Sequence, residues 1–137
     1  MRYGFLALVL CFIAALTGCG RGGQPRTYPA EGTVTYRGTP VADAHVRFIP
    51  KEGPPAEGVT DASGGFALQT FRPGDGAVAG EHTVTVSKTE VVDKDPNAAY
   101  PEMRSVLPER YSRVGSSPLV AEVTTRGENR FDFELQP

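Results

Sequence analysis

Two regimes of apolar spacing divide the chain. Residues 4–16 are apolar without interruption, preceded by Met1, Arg2 and Tyr3 and followed by the small residues Thr17 and Gly18. A charged start, an apolar middle and a small-residue end make the layout of a secretory signal peptide, here residues 1–18. A membrane-crossing helix needs about 20 apolar residues, and this run is broken short of that by Gly18, Gly20, Gly22 and Gly23. From Ala30 onward the spacing becomes two, in short segments rich in β-branched and aromatic residues and bounded by Gly, Pro, Asp or Ser. Val34 and Tyr36 alternate with Thr33 and Thr35; Ala44, Val46 and Phe48 alternate with His45, Arg47 and Ile49. Further strands are predicted around residues 57–60, at Phe66 and Leu68, at Val84 and Val86, at Leu119, Ala121 and Val123, and at Phe131, Phe133 and Leu135. Seven short strands and no helical period predict an all-β fold over residues 30–137, an antiparallel β-sandwich. Parallel pairing is not expected, because no crossover helix is in view.

The turns between these strands have their own chemistry. Gly38 and Pro40 shape the first hairpin, Asp61 and Gly64 suit a tight turn, Gly76 and Gly80 punctuate a loop, and Asn129 stands where a left-handed residue or a side-chain cap is useful. Turn chemistry accounts for each of them without a ligand. Residues 89–118 break the rhythm, with Pro96, Pro101, Pro108 and Pro118 among charged residues and tyrosines. Unstructured connections beyond about 15 residues are uncommon inside compact domains. Two readings stand: an ordered excursion covering one end of the sandwich, or a partner-binding loop with Tyr100, Arg104, Glu109, Arg110 and Tyr111 as contact residues.

The end of the apolar run is more specific. Leu16, Thr17, Gly18 and Cys19 resemble the lipobox of bacterial lipoproteins: an aliphatic residue, a small residue, Gly or Ala, then cysteine. The resemblance implies cleavage before Cys19, a diacylglyceryl thioether on its sulfur and a further acyl chain such as palmitate on its amine. The alternative is an ordinary signal peptide that happens to hold a cysteine near its end. Two or more acyl chains anchor stably, since burial contributes about 0.8 kcal/mol per methylene. Gly20 follows in place of the aspartate that retains many proteobacterial lipoproteins at the inner membrane, which favours the outer membrane. Residues 19–29 then read as a lipidated, flexible tether, Gly-rich and ending in prolines.

With Cys11 in the signal and Cys19 bearing lipid, the mature chain has no cysteine left for a disulfide or thiol chemistry. Loss of residues 1–18 leaves 13 basic residues against 16 acidic ones. This mild acidity gives no electrostatic reason to expect nucleic acid as a partner.

The stretches GTVTYRGTPVADAHVRFIP, GVTDASGGFAL, GDGAVAGEHTVTVSK and LPERYS, with SSPLVAEVTTRGENRFDFEL, carry a family likeness. In order and spacing they resemble the transthyretin-like, or carboxypeptidase-regulatory-like, lipoproteins of planctomycetes, over nearly all of the mature chain. The resemblance implies a seven-stranded Greek-key sandwich of the prealbumin type and a place in the cell envelope. It implies no established activity.

Candidate chemistry is sparse. His45 alternates away from the core set, while His82 shares the phase of Val84 and Val86. No HExxH, no GxSxG and no Cys/His cluster occurs, so neither a zinc hydrolase nor a serine nucleophile is expected. Transthyretin-related hydroxyisourate hydrolases would require paired histidines and a Tyr-Arg-Gly-Ser-type end, whereas this chain closes on FDFELQP. Collagen-adhesin B-type domains join a first-strand lysine to a last-strand asparagine, and the first strand here offers Arg37 and no lysine. Calcium needs about six to eight converging oxygens, and Asp61, Asp75, Asp93 and Asp95 are scattered over separate loops. The expectation is a non-catalytic envelope module without metal or cofactor beyond the lipid on Cys19. It would sit on a membrane through that anchor, facing the periplasm, and bind or space an envelope protein or polysaccharide. The alternative is a small transthyretin-fold hydrolase or a carbohydrate- or metal-binding envelope domain.

Overall fold

The computed structural model describes residues 22–92 and 95–137. The expected signal segment and the lipobox residues Leu16, Thr17, Gly18 and Cys19 lie outside them. The first strands are β1 (Thr27–Tyr28), β2 (Ala30–Tyr36), β3 (Thr39–Pro40), β4 (His45–Pro50), β5 (Ala56–Val59) and β6 (Gly65–Ala67). They are followed by β7 (Ala77–Val78), β8 (Gly80–Ser87), β9 (Thr89–Val91), β10 (Met103–Ser105), β11 (Leu119–Val123) and β12 (Asn129–Leu135). A single 3-10 turn, Glu109–Ser112, precedes β11, and no α-helix occurs among the described residues. The chain is all-β. The segments predicted from period-two alternation are β2, β4, β5, β6, β8, β11 and β12; the other five strands are only two or three residues long.

Two four-stranded sheets face each other. One has the order β11-β8-β4-β5 and is antiparallel throughout. In the other, β2 is central: β12 lies along one edge, while β6 and β3 share the opposite edge. An isolated bridge from Glu57 to Gln69 links the two layers beside β5. The aromatic centre explains why they stay together. The fully buried Phe48 of β4 reaches across to Phe66, Phe131 and Phe133 of the other sheet, with ring centroids 6.2, 5.3 and 6.0 Å away. Val34, Val46, Val84, Val86, Leu68 and Leu135 complete the solvent-free interior. Their spacing follows from the pleat, which sends alternate side chains to opposite faces. Thus His45 and Arg47 are exposed between buried neighbours, as are Asp132 and Glu134.

One expectation is overturned. β12 pairs with β2 in parallel, through seven register pairs from Asn129 with Ala30 to Leu135 with Tyr36. A parallel pair needs a long crossover between its strands. Here the crossover is the rest of the domain, residues 37–128, so no helix is required.

The turns fix the register. Arg37 and Gly38 both take positive φ, +52° and +76°, the conformation that a two-residue hairpin loop requires. They join β2 to β3. Thr60 is buried, and its hydroxyl accepts the Ala44 N–H at 2.8 Å. The β11–β12 connection is closed by the buried side chain of Asn129. Its Oδ1 accepts the Thr124 N–H at 2.8 Å, and its Nδ2 donates to Thr124 O at 3.0 Å and to Pro29 O at 3.3 Å. Asn129 is therefore a side-chain cap, one of the two roles its position suggested.

The stretch expected to be a flexible tether is fixed at its last residues. Thr27 and Tyr28 pair with Val78 and Ala77, and Tyr28 packs against the core. The chain enters the sandwich at the end that holds Pro29 and the β11–β12 loop. β2 and β12 both run from there towards the opposite end, where Tyr36 and Leu135 lie side by side.

Candidate functional site

That opposite end is where residues 89–118 emerge, because β8 continues past the sheet into Lys88 and β9. β9 and β10 form an antiparallel hairpin in which Val91 faces Met103, Glu90 faces Arg104 and Thr89 faces Ser105. Val92 N–H to Glu102 O, at 2.9 Å, and Val106 N–H to Lys88 O, at 3.1 Å, extend the ladder at both ends. All six residues of the two strands are exposed. Lys88 pairs with Glu90 at 3.2 Å, and the opposite charges of Glu90 and Arg104 sit across the ladder.

The apolar part of the hairpin stands in solvent. Tyr100 is 88% exposed, and Val91, Val92 and Met103 are all about half exposed or slightly less. Beneath it a groove of about 320 Å³ lies between the two hairpins, lined by Tyr36, Pro40, Val41, Lys88, Val106 and Leu107. A second cleft, about 430 Å³, lies at the entry end beside Tyr28, Glu31, Glu128 and Arg130.

The five residues singled out in this segment fall into two groups. Tyr100 and Arg104 belong to the exposed hairpin. Glu109, Arg110 and Tyr111 belong to the 3-10 turn, and their contacts are internal. Tyr111 is 4% exposed and joins the core. Its hydroxyl accepts the Gln136 N–H at 2.9 Å and reaches Gln136 O at 3.4 Å. Arg110 lies over the Tyr111 ring and donates to Gln136 O at 2.6 Å and Pro137 O at 3.1 Å. Glu109 pairs with Arg113 one turn on. This half of the segment covers the end of the core and holds the tail of β12; the hairpin half presents side chains outward. Sequence reasoning missed Val91, Val92 and Met103. The signal available was the apolar pair Val91 and Val92, with Met103 further on, set among charged residues and prolines.

The histidines do not converge. His82 is fully buried on β8 beside Phe48, and its Nε2 lies 2.7 Å from Val78 O. Its Nδ1 has no hydrogen-bond partner among the described residues. His45 is exposed on β4. The register sets Pro50 opposite His82 and Ser87 opposite His45, a separation of roughly 17 Å along the strands, with the two rings on opposite faces.

The loop aspartates are occupied by their own turns. Asp61 Oδ1 accepts from Ser63 N, Ser63 Oγ and Gly65 N at 2.9, 2.7 and 2.9 Å. The Ser63 hydroxyl first, then the Gly65 and Ser63 N–H groups, hold its carboxyl below the usual value. For Asp75, partial desolvation pushes upward. The N–H groups of Thr70, Phe71 and Arg72 outweigh it with help from the Arg72 charge, and the net direction is down. Asp95 accepts the Asn97 N–H at 2.9 Å, and Asp93 lies outside the described residues. Among the described residues no three His, Cys, Asp or Glu side chains gather as a metal site. None of their helices is long and apolar enough to cross a membrane.

Comparison with known proteins adds little to this geometry. No family model matches the chain, and no curated protein matches it. Among solved structures, a 9R-lipoxygenase from Cyanothece PCC8801 is similar over 82% of this chain and 16% of its own, at 16% identity and a TM-score of 0.39. A likeness of that size carries no conclusion about fold or activity.

Proposed function

We propose that this chain is a lipid-anchored envelope protein, a non-catalytic β-sandwich of the transthyretin-like type that holds another envelope component away from the membrane. In this reading Cys19 carries the lipid, the stretch from there to Arg26 serves as the tether, and β2, β4, β5, β6, β8, β11 and β12 form the seven-stranded Greek-key core. The outer membrane, facing the periplasm, is the favoured location. The observation that carries the reading is the opposition of its two ends. The lipobox-like Leu16–Thr17–Gly18–Cys19 precedes the end where Pro29 enters, while the exposed hairpin with Val91, Tyr100 and Met103 stands at the other. A tethered domain therefore turns its most apolar exposed element outward, to a protein or polysaccharide. Solitary exposed apolar residues are ordinary, but a group of them on one projecting element marks an interaction surface.

Two measurements test it. Cys19→Ser should abolish palmitate labelling and move the protein from the membrane to the soluble fraction of the envelope; retention at the membrane overturns the anchor. In-cell crosslinking should capture a partner with the native hairpin. Replacing Val91, Tyr100 and Met103 by serine should lose that partner with the melting temperature unchanged. A partner captured equally well without these side chains overturns the assignment of the surface.

A further inference from the structure

The parallel pairing of the first and last long strands gives this domain a mechanical direction. β2 is entered from the tether side, and its neighbours hold it on both edges: β12 along all seven residues, β6 at Glu31–Thr33 and β3 at Thr35–Tyr36. Because β2 and β12 run the same way, the tether leaves at one end of the pair and Gln136 follows at the other. Tension between these points acts along the strands. Every hydrogen bond of the pair is then loaded at once. If the same two strands were pulled from one end only, the bonds would open one after another, each alone a weak net contributor.

We infer that the β2–β12 pair is a shear clamp, which lets the domain carry tension between its N-terminal tether and its far end without unfolding. Three further contacts fit this role. Thr33 Oγ1 donates to Asp132 Oδ1 at 2.7 Å across the pair on the solvent side. Arg130 bridges to Glu31 at 3.7 Å. Beyond β12, Arg110 and Tyr111 grip Gln136 and Pro137, so the far end of the strand is held by the 3-10 turn as well as by β2. Among the described residues the element upstream of the clamp is β1, which pairs through two residues. It peels first, releasing roughly 10 Å of chain while the sandwich stays closed. Forced unfolding is governed by the unfolding barrier and not by equilibrium stability, so the clamp resists load in one direction without making the domain more stable overall.

That the load enters through the tether rests on the anchoring proposed above; the clamp itself does not. Single-molecule pulling on the full chain with Cys11→Ser and Cys19→Ser separates the two. Handles on Gln24→Cys and Gln136→Cys load the pair in shear, and handles on Gln24→Cys and Glu128→Cys pull both strands from the same end. The shear pair should rupture at about twice the force or more, since seven residue pairs share the load in place of one, with a short early extension from β1. Thr33→Val should lower the shear force and leave the same-end force unchanged. Equal forces in the two directions overturn the clamp, whatever the membrane fractionation of the Cys19 variant shows. A soluble Cys19 chain overturns the anchor and leaves the force anisotropy standing.

Discussion

Replacing Phe48 by alanine tests whether one side chain organises the two layers. The ring is fully buried and lies within 6.2 Å, centroid to centroid, of Phe66, His82, Phe131 and Phe133. Buried Phe→Ala changes cost about 3–5 kcal/mol, through lost transfer energy and the cavity left behind. The upper half of that range applies here. Four ring neighbours come from three other strands in two sheets, so no single shift closes the gap, and aromatic pairs contribute about 0.5–1.5 kcal/mol beyond their area. Against a stability of roughly 5–15 kcal/mol for a domain of this size, a loss of about 4 kcal/mol is severe. It should lower the melting temperature by about 15 °C or more. Urea unfolding followed by far-ultraviolet circular dichroism should show the midpoint falling by about 2 M with little change in slope. Phe131→Ala, at a partly buried position on the same ring cluster, should cost clearly less. A Phe48→Ala loss under about 1 kcal/mol, or one equal to that of Phe131→Ala, would refute the central role given to this ring.

Two further outcomes follow from the turns. Gly76 has φ +85°, and a Cβ there would lie 1.7 Å from Tyr28 O, so Gly76→Ala should detach β1 from β7 and speed tryptic cleavage after Arg26; unchanged cleavage would show the tether entry to be free already. Asp61 and Asp75 both have carboxyls held below their ordinary value of 3.8, so their contribution to stability is present above that value and is lost as pH falls through the lower, folded-state value. Thermal unfolding between pH 7 and pH 2 should therefore decline less steeply on the acid side in the Asp61→Asn, Asp75→Asn protein, and identical acid limbs would sink this assignment.

The fold was legible where side chains alternate between core and water. Val46 and Phe48 between His45 and Arg47, or Phe133 and Leu135 between Asp132 and Glu134, disclose both the strand and its inward face. Alternation says nothing of which strand lies alongside, so the parallel pairing of β2 with β12 had no local trace. β9 and β10 were hidden for another reason. With every residue exposed, they have no inward face, and their pairing is carried by backbone hydrogen bonds that any sequence supplies. Tyr111 misled in the opposite sense. A tyrosine between Arg110 and Ser112 in a polar stretch reads as a surface contact, and only the 3-10 turn at Glu109–Ser112 swings its ring inward and its hydroxyl onto Gln136.

The pairing of β2 with β12 also sets when folding can finish. Phe133 and Leu135, with the partly buried Phe131, are supplied by the last of the described strands, and Asn129 reaches back 100 residues to Pro29. Until β12 leaves the ribosome, β2 has one edge vacant and the core lacks part of its wall. Contacts so distant in sequence are slow to form, because a long loop must close before they are rewarded. A chain that is elongating from its N-terminus therefore stays open at this edge until β12 is made. Closure of the sandwich is thus tied to the arrival of one strand, and the ring of Phe48 is not sealed on all sides until Phe131 and Phe133 dock against it.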